Sequence, residues 1–191
     1  MDHVKKRRAL LLACLLVLTG AVFAVRGRTR PELAAVYGGV EIRRADLEKL
    51  RATAEAGEAE LSDRELAERA VRALIITEEA ERLGVAASEE EAERLAALTL
   101  QSFAWGYGRE EMEAVYADKG LTEEEYYAVL KQRAYHSLSE LGLRSCLGRE
   151  YCREQGVEYR PGDTDGPMQA AVEEYMDALV QEKISGAEFY G

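Results

Sequence analysis

The chain has 191 residues and carries 25 Lys or Arg against 36 Asp or Glu, a formal net charge of −11. Seven basic residues and one acidic residue fall within residues 1–30, which leaves residues 31–191 with eighteen basic and thirty-five acidic side chains, a net of −17. Such a field repels nucleic-acid phosphates and anionic headgroups, so nucleic acid is set aside as a partner, and the length fits one globular domain.

The first element in chain order is Ala9 to Val25, ALLLACLLVLTGAVFAV, seventeen uncharged residues between Lys5-Lys6-Arg7-Arg8 and Arg26, Arg28 and Arg30. A basic start before an apolar run is the pattern of a secretory signal or an uncleaved anchor, and it lies outside the fold of the mature domain. Seventeen residues stand at the short edge of what crosses a bilayer as a helix. Val22-Phe23-Ala24 offers a cut after Ala24, whereas the lack of polar residues before Arg26 favours a retained apolar helix. Cys14 continues inside the run and reads as a membrane cysteine. Residues 1–30 are therefore a signal anchor or signal peptide, with the main domain, residues 31–191, extracytoplasmic. A retained segment makes a single-pass membrane protein; cleavage near Ala24 makes a secreted one.

Ala, Leu, Glu and Arg dominate, and the three prolines stand at 31, 161 and 167, a composition that implies a mainly helical domain. Leu33 to Ile42 reads as a short hairpin around Gly38-Gly39, and Ala187 to Tyr190 as a terminal strand that would pair with it. Three capping boxes mark helix starts: Ser62 with Glu65, Ser88 with Glu91, and Thr122 with Glu125. Leu61 with Leu66 and Leu121 with Tyr126 stand where a hydrophobic staple would. The Ser62 helix buries Leu66, Ala70, Val71, Leu74, Ile75 and Ala80 and stops at Gly84. The Ser88 helix carries Ala92, Leu95, Ala96, Thr99 and Phe103 on one face and breaks up among Phe103, Trp105, Gly106, Tyr107 and Gly108.

A helix from about Arg109, with Met112, Val115 and Tyr116 inward, stops at Gly120. The Thr122 helix is expected to bury Tyr127, Leu130, Ala134, Leu138 and Leu141, with Gly142 as a bend or weak point. Cys146 and Cys152 are six residues apart, off a common helix face, so a disulfide between them requires the chain to turn near Gly148. No CxxC string supports thiol oxidoreductase chemistry. Residues 156–166 read as a loop, and Pro167 opens a last helix with Val172, Tyr175, Met176, Leu179, Lys183 and Ile184 inward.

The order of these elements resembles the peptide-binding chaperone domain of the SurA and PrsA foldases, a fold similar to part of trigger factor. Val36-Tyr37-Gly38-Gly39-Val40-Glu41-Ile42, followed by Ala45 to Leu50, stands where that family has a "V-x-G-x-x-I" strand before a short helix. Leu74 to Val85 matches its "L-I-x-x-x-x-A-x-x-x-G-[IV]" helix end, and Ser88 to Glu91 its next helix start. Gly120 to Tyr126 matches its "G-[LI]-[ST]-x-x-x-[YF]" junction, while Tyr175 to Tyr190 resembles its closing helix and strand. Two features depart from the pattern. Arg43 replaces a capping Ser or Thr, so the helix from about Arg44 is expected to be poorly capped. Residues 156–166 take the place of the parvulin prolyl isomerase domain, far fewer than the roughly 50 residues a small domain needs.

Chemistry finds little support in the residue pattern. His136 is the one histidine beyond the apolar run, with no nucleophile-elbow string to partner it, and Asp163 and Asp165 lack the rest of a calcium loop. The glutamate runs are explained by helix N-terminal electrostatics. No catalytic residue, metal site or cofactor is therefore expected. Phe103, Trp105 and Tyr107, with Met112 and Tyr116 beside them, are candidates for peptide binding, since aromatics on a turn offer large contact area at low entropic cost; the competing role is core at the helix junction. The resemblance implies a non-catalytic, chaperone-like protein whose partners are unfolded or nascent exported proteins. An envelope scaffold docking one fixed partner is the alternative, and a prolyl isomerase-related foldase a further one.

Overall fold

The computed structural model describes residues 32–53, 60–106, 109–162 and 166–191. Ala9 to Val25, with its possible cut after Ala24, lies outside them. Residues 32–189 form one compact unit, mainly helical with a small antiparallel sheet.

Strand β1 (Leu33–Tyr37) turns into β2 (Val40–Arg43) through Gly38 and Gly39, whose φ angles of 57° and 84° are both left-handed. Two successive residues of this kind make the tight turn whose twist matches a hairpin. A Cβ at either glycine would meet nothing within 4 Å, so glycine is required by conformation and not by space. Strand β3 (Glu188–Phe189) pairs antiparallel with the other edge of β1, Ala35 opposite Phe189 and Val36 opposite Glu188. The sheet order is β2-β1-β3, which realises the expected pairing of hairpin and terminal strand. The Arg64 guanidinium stacks 3.9 Å over the Phe189 ring and covers the short β3.

Helix α1 (Arg44–Ala52) is better anchored than Arg43 suggests. Arginine has no acceptor to cap with, but the Asp46 carboxylate accepts from the Arg43 backbone N–H at 3.0 Å, half of a capping box contributed from inside the helix. At the other end Arg133 donates to the carbonyls of Thr53 and Leu50 at 2.8 and 3.0 Å, and Lys119 donates to that of Ala52. Cations thus meet the negative end of the helix. Asp63 joins α1 to the next helix by accepting from Arg44 and Arg51 at 3.0 and 2.7 Å.

Helix α2 (Asp63–Arg82) starts at the Ser62–Glu65 box and buries Leu66, Ala67, Val71, Ile75, Ile76 and Ala80. These pack with Ala34, Ala35, Ile42, Leu47, Leu143, Val172, Met176 and Val180 into the main core. Its polar edge is tied down by three tyrosine hydroxyls. Tyr37 donates to Glu78 at 2.8 Å, Tyr175 to Glu79 at 2.9 Å and Tyr135 to Glu81 at 2.8 Å, each from a different element. Arg82 also donates to the buried Glu79 at 2.6 and 2.9 Å, and Arg82 first, with Tyr175, holds the carboxyl below the usual range against the opposing effect of burial. Gly84 at φ 69° closes the helix, with the Val85 N–H reaching back to the Ala80 carbonyl at 2.8 Å.

Helices α3 (Glu89–Gly106) and α4 (Arg109–Asp118) lead to α5 (Glu123–Gln155), whose 33 residues run about 50 Å. The expected α5 stripe is corrected here. Its buried positions are Tyr126, Val129, Ala134, Ser139, Leu143, Gly148 and Cys152, while Leu141 is 59% exposed. These positions share no single face, because α5 serves α3 and α4 first, α2 and the α2–α3 linker midway and α6 at its end. Gly142 is a docking point and not a bend: a Cβ there would sit 2.1 Å from the Val85 carbonyl oxygen. One turn earlier, Ser139 Oγ accepts from the Ala87 N–H at 3.1 Å. Residues 84–88 thus lie flat against the helix.

The turn that a Cys146–Cys152 disulfide requires does not form. Helix α5 passes through Gly148 unbroken and separates the two positions by about 9 Å along its axis, beyond disulfide reach. Both thiols are free, with Cys152 Sγ 3.5 Å from Met168 Sδ. Helix α6 (Pro167–Ile184) then buries Val172, Met176 and Val180, four residues apart, whereas Tyr175 lies at the surface and holds Glu79.

Candidate functional site

Helix α3 has two apolar faces. Ala92 and Ala96, both fully buried, form the face against α5, where small side chains let the two backbones come close. Lys131 of α5 reaches Glu89 and Glu93 at 2.8 and 2.7 Å and fixes the pairing. On the opposite side stand Leu98 and Trp105, 55% and 82% exposed, with Leu95, 36% exposed, on the flank between them and Ala92. Leu98 and Trp105 are seven residues apart and within about 20° of a common line, with Leu95 about 60° away. Leu95 shares a face with the alanines by spacing, and in the structure it lies at the exposed edge of that face. The two-sided pattern is visible in the sequence as leucines offset from alanines, but periodicity does not say which of the faces meets a neighbour.

The candidates Met112 and Tyr116 take a different place. Both are buried, with Tyr126, in a second apolar cluster edged by Leu100, Leu121 and Leu130. The Tyr116 and Tyr126 rings pack tilted at 49°, with centroids 5.3 Å apart. This cluster holds α4 against the start of α5, and burial pushes the Tyr116 and Tyr126 hydroxyls up from their ordinary pKa. Met112 and Tyr116 are therefore joined to each other as core, whereas Trp105 projects into solvent. The Phe103 side chain and the whole of Tyr107 lie outside the described residues.

A cleft of about 620 Å³ opens between α1 and the α4–α5 junction, lined by Glu48, Lys49, Ala52, Lys119, Leu121 and Glu125 among others. Its charges answer one another. Lys49 pairs with Glu125 at 3.0 Å, and Glu125 is held down at about 2 by the Thr122 backbone N–H first and by Lys49 next. His136 is elsewhere, wedged between α5 and α2, its Nδ1 2.8 Å from Thr77 Oγ1 and its ring edge-on to Tyr135. Burial pushes its pKa below the ordinary value, and the nearby Glu81 carboxylate opposes that only in part. Its place is a polar pin between two helices.

Among the described residues no group of three or more His, Cys, Asp or Glu is placed to hold a metal ion, and no helix is long and apolar enough to cross a membrane. Comparison with protein-family models, with curated proteins and with solved structures finds no match for this chain.

Proposed function

We propose that the chain is an extracytoplasmic, chaperone-like module of the SurA and PrsA type, without a parvulin domain, that shelters apolar segments of unfolded or nascent exported proteins. One observation carries this reading: α3 displays Leu95, Leu98 and Trp105 to solvent on a helix already packed through its other side. A monomeric domain gains nothing by ordering such a face, whereas a transient binder needs one. The order of hairpin, short helix, three capped helices and returning terminal strand supports the family reading. The chemistry is burial of client side chains without nucleotide or metal, and the acidic surface keeps the holder soluble. Ala9 to Val25 would confine this action to the membrane if retained, or release a secreted holder after cleavage near Ala24.

The test is suppression of aggregation by the purified full chain with at least two unrelated unfolded clients, alongside a proline-peptide isomerisation assay. Dose-dependent suppression with isomerisation at the buffer rate is expected. Failure to suppress, with one tight stoichiometric partner recovered instead, would replace the chaperone by an envelope scaffold, and isomerisation above the buffer rate would make it a foldase.

A further inference from the structure

We infer that the outer face of α3 is the client-contacting surface and that it selects a short apolar segment flanked by lysine or arginine. The inference rests on the proposed function and adds to it a place and a ligand chemistry. From Leu95 to Trp105 the face is about 15 Å long at helical rise, which an extended segment of four or five residues matches. Leu98 and Trp105 are in line, so the contact is a ridge and not a closed pocket. Such a ridge grips a few apolar side chains and leaves the rest of the segment in water.

Charge supplies the selectivity. Residues 89–118, which span α3 and α4, contain eight acidic and two basic side chains. Glu90 and Glu91 stand at the head of the ridge, and Glu110, Glu111 and Glu113 are exposed in α4, the next helix in the sequence. Glu91 is held below the ordinary carboxyl range by Ser88 and so remains charged well into acid. Arg94 is exposed on the same side one turn before Leu98, but the net charge of α3 and α4 together is −6. An apolar ridge on this acidic segment complements a client segment with cations beside its apolar residues and repels both an acidic segment and an anionic membrane surface.

Trp105 is the chain's single tryptophan, so its emission reports on this surface alone. The full chain, reconstituted in phosphatidylcholine vesicles, is titrated with three labelled peptides: an apolar core with Lys flanks, the same core with Glu flanks, and Lys flanks around a Gly-Ser core. The first should shift Trp105 emission to the blue, and the other two should bind about tenfold more weakly, with affinity falling as salt rises. Leu98→Glu should abolish binding of the first peptide while circular dichroism stays unchanged, as its exposure permits. Peptide anisotropy that rises without any change in Trp105 emission would sink this surface while leaving the chaperone reading intact. Equal affinity for Lys and Glu flanks would overturn the charge selectivity, and concentration-dependent self-association that buries Trp105 would assign the face to a second copy. Absence of both peptide binding and aggregation suppression would remove the proposed function with it.

Discussion

Gly142 and Val85 are in backbone contact: the bare Cα of one faces the carbonyl oxygen of the other so closely that a Cβ would lie 2.1 Å from it. This contact sets how near the α2–α3 linker lies to α5, and therefore where α3 begins.

Gly142→Ala should destabilise the domain by about 2–3 kcal/mol, an overpacking cost that falls on backbone with no flexible side chain to yield. For a domain of this size that is a drop in Tm of about 5–10 °C. Thermal unfolding followed by circular dichroism measures it, and an unchanged Tm would show that the linker can lift without cost.

Ser139→Ala tests the neighbouring hydrogen bond. The Ala87 N–H loses its acceptor beside a fully buried position, which should cost about 1–3 kcal/mol. Ser137→Ala, at an exposed position of the same helix, should change stability by less than about 0.5 kcal/mol. Equal effects would deny Ser139 its role in holding the linker.

His136 predicts a pH dependence with a definite sign. Its folded pKa lies below the ordinary 6.5, so the unfolded chain binds more protons as pH falls past 6.5, and stability is lost from there down to the folded pKa. The carboxylates with depressed pKa, Glu65 and Glu79 among them, begin to lose their contribution about one unit above their unfolded value of 4.5. Between pH 6.5 and about 5.5 the loss therefore belongs to His136. Denaturant midpoints measured across this window should fall with pH in the wild type and fall less in His136→Gln.

Two substitutions separate core from surface around α4. Met112→Ala should cost about 2–4 kcal/mol by opening the cluster with Tyr116 and Tyr126. Trp105→Ala should leave stability within about 0.5 kcal/mol while weakening peptide binding. Loss of fold with Trp105→Ala would show that it is held by residues other than those described.

Local chemistry specifies the helix ends and the hairpin turn, and these are legible in the sequence. The Ser62 and Thr122 capping boxes form, Gly84 and Gly120 stop their helices, and the paired glycines make the hairpin, because each depends on residues within one turn of one another. The pairing of Ala187 to Tyr190 with the hairpin was legible from the strand pattern at both ends. What escaped was which face of a helix meets a neighbour. Leu95 and Leu141 fit an inward stripe by spacing and are exposed, because α3 packs through alanines and α5 changes partners along its length. Gly142 carries the mark of a helix breaker and is instead a place of close approach, a role visible only once Val85 is beside it. Asp46 likewise caps α1 from inside the helix, a role the Arg43 position does not announce.

The central strand has a consequence in time. β1 receives β2 at once across a two-residue turn, but its other edge is closed by β3, which arrives about 150 residues later. A chain that emerges from a translocation pore with its amino end leading exposes that unpaired edge, a template for unwanted strand addition, until the last helix has followed it out. A protein proposed to guard others during export would itself pass through an interval of the same vulnerability.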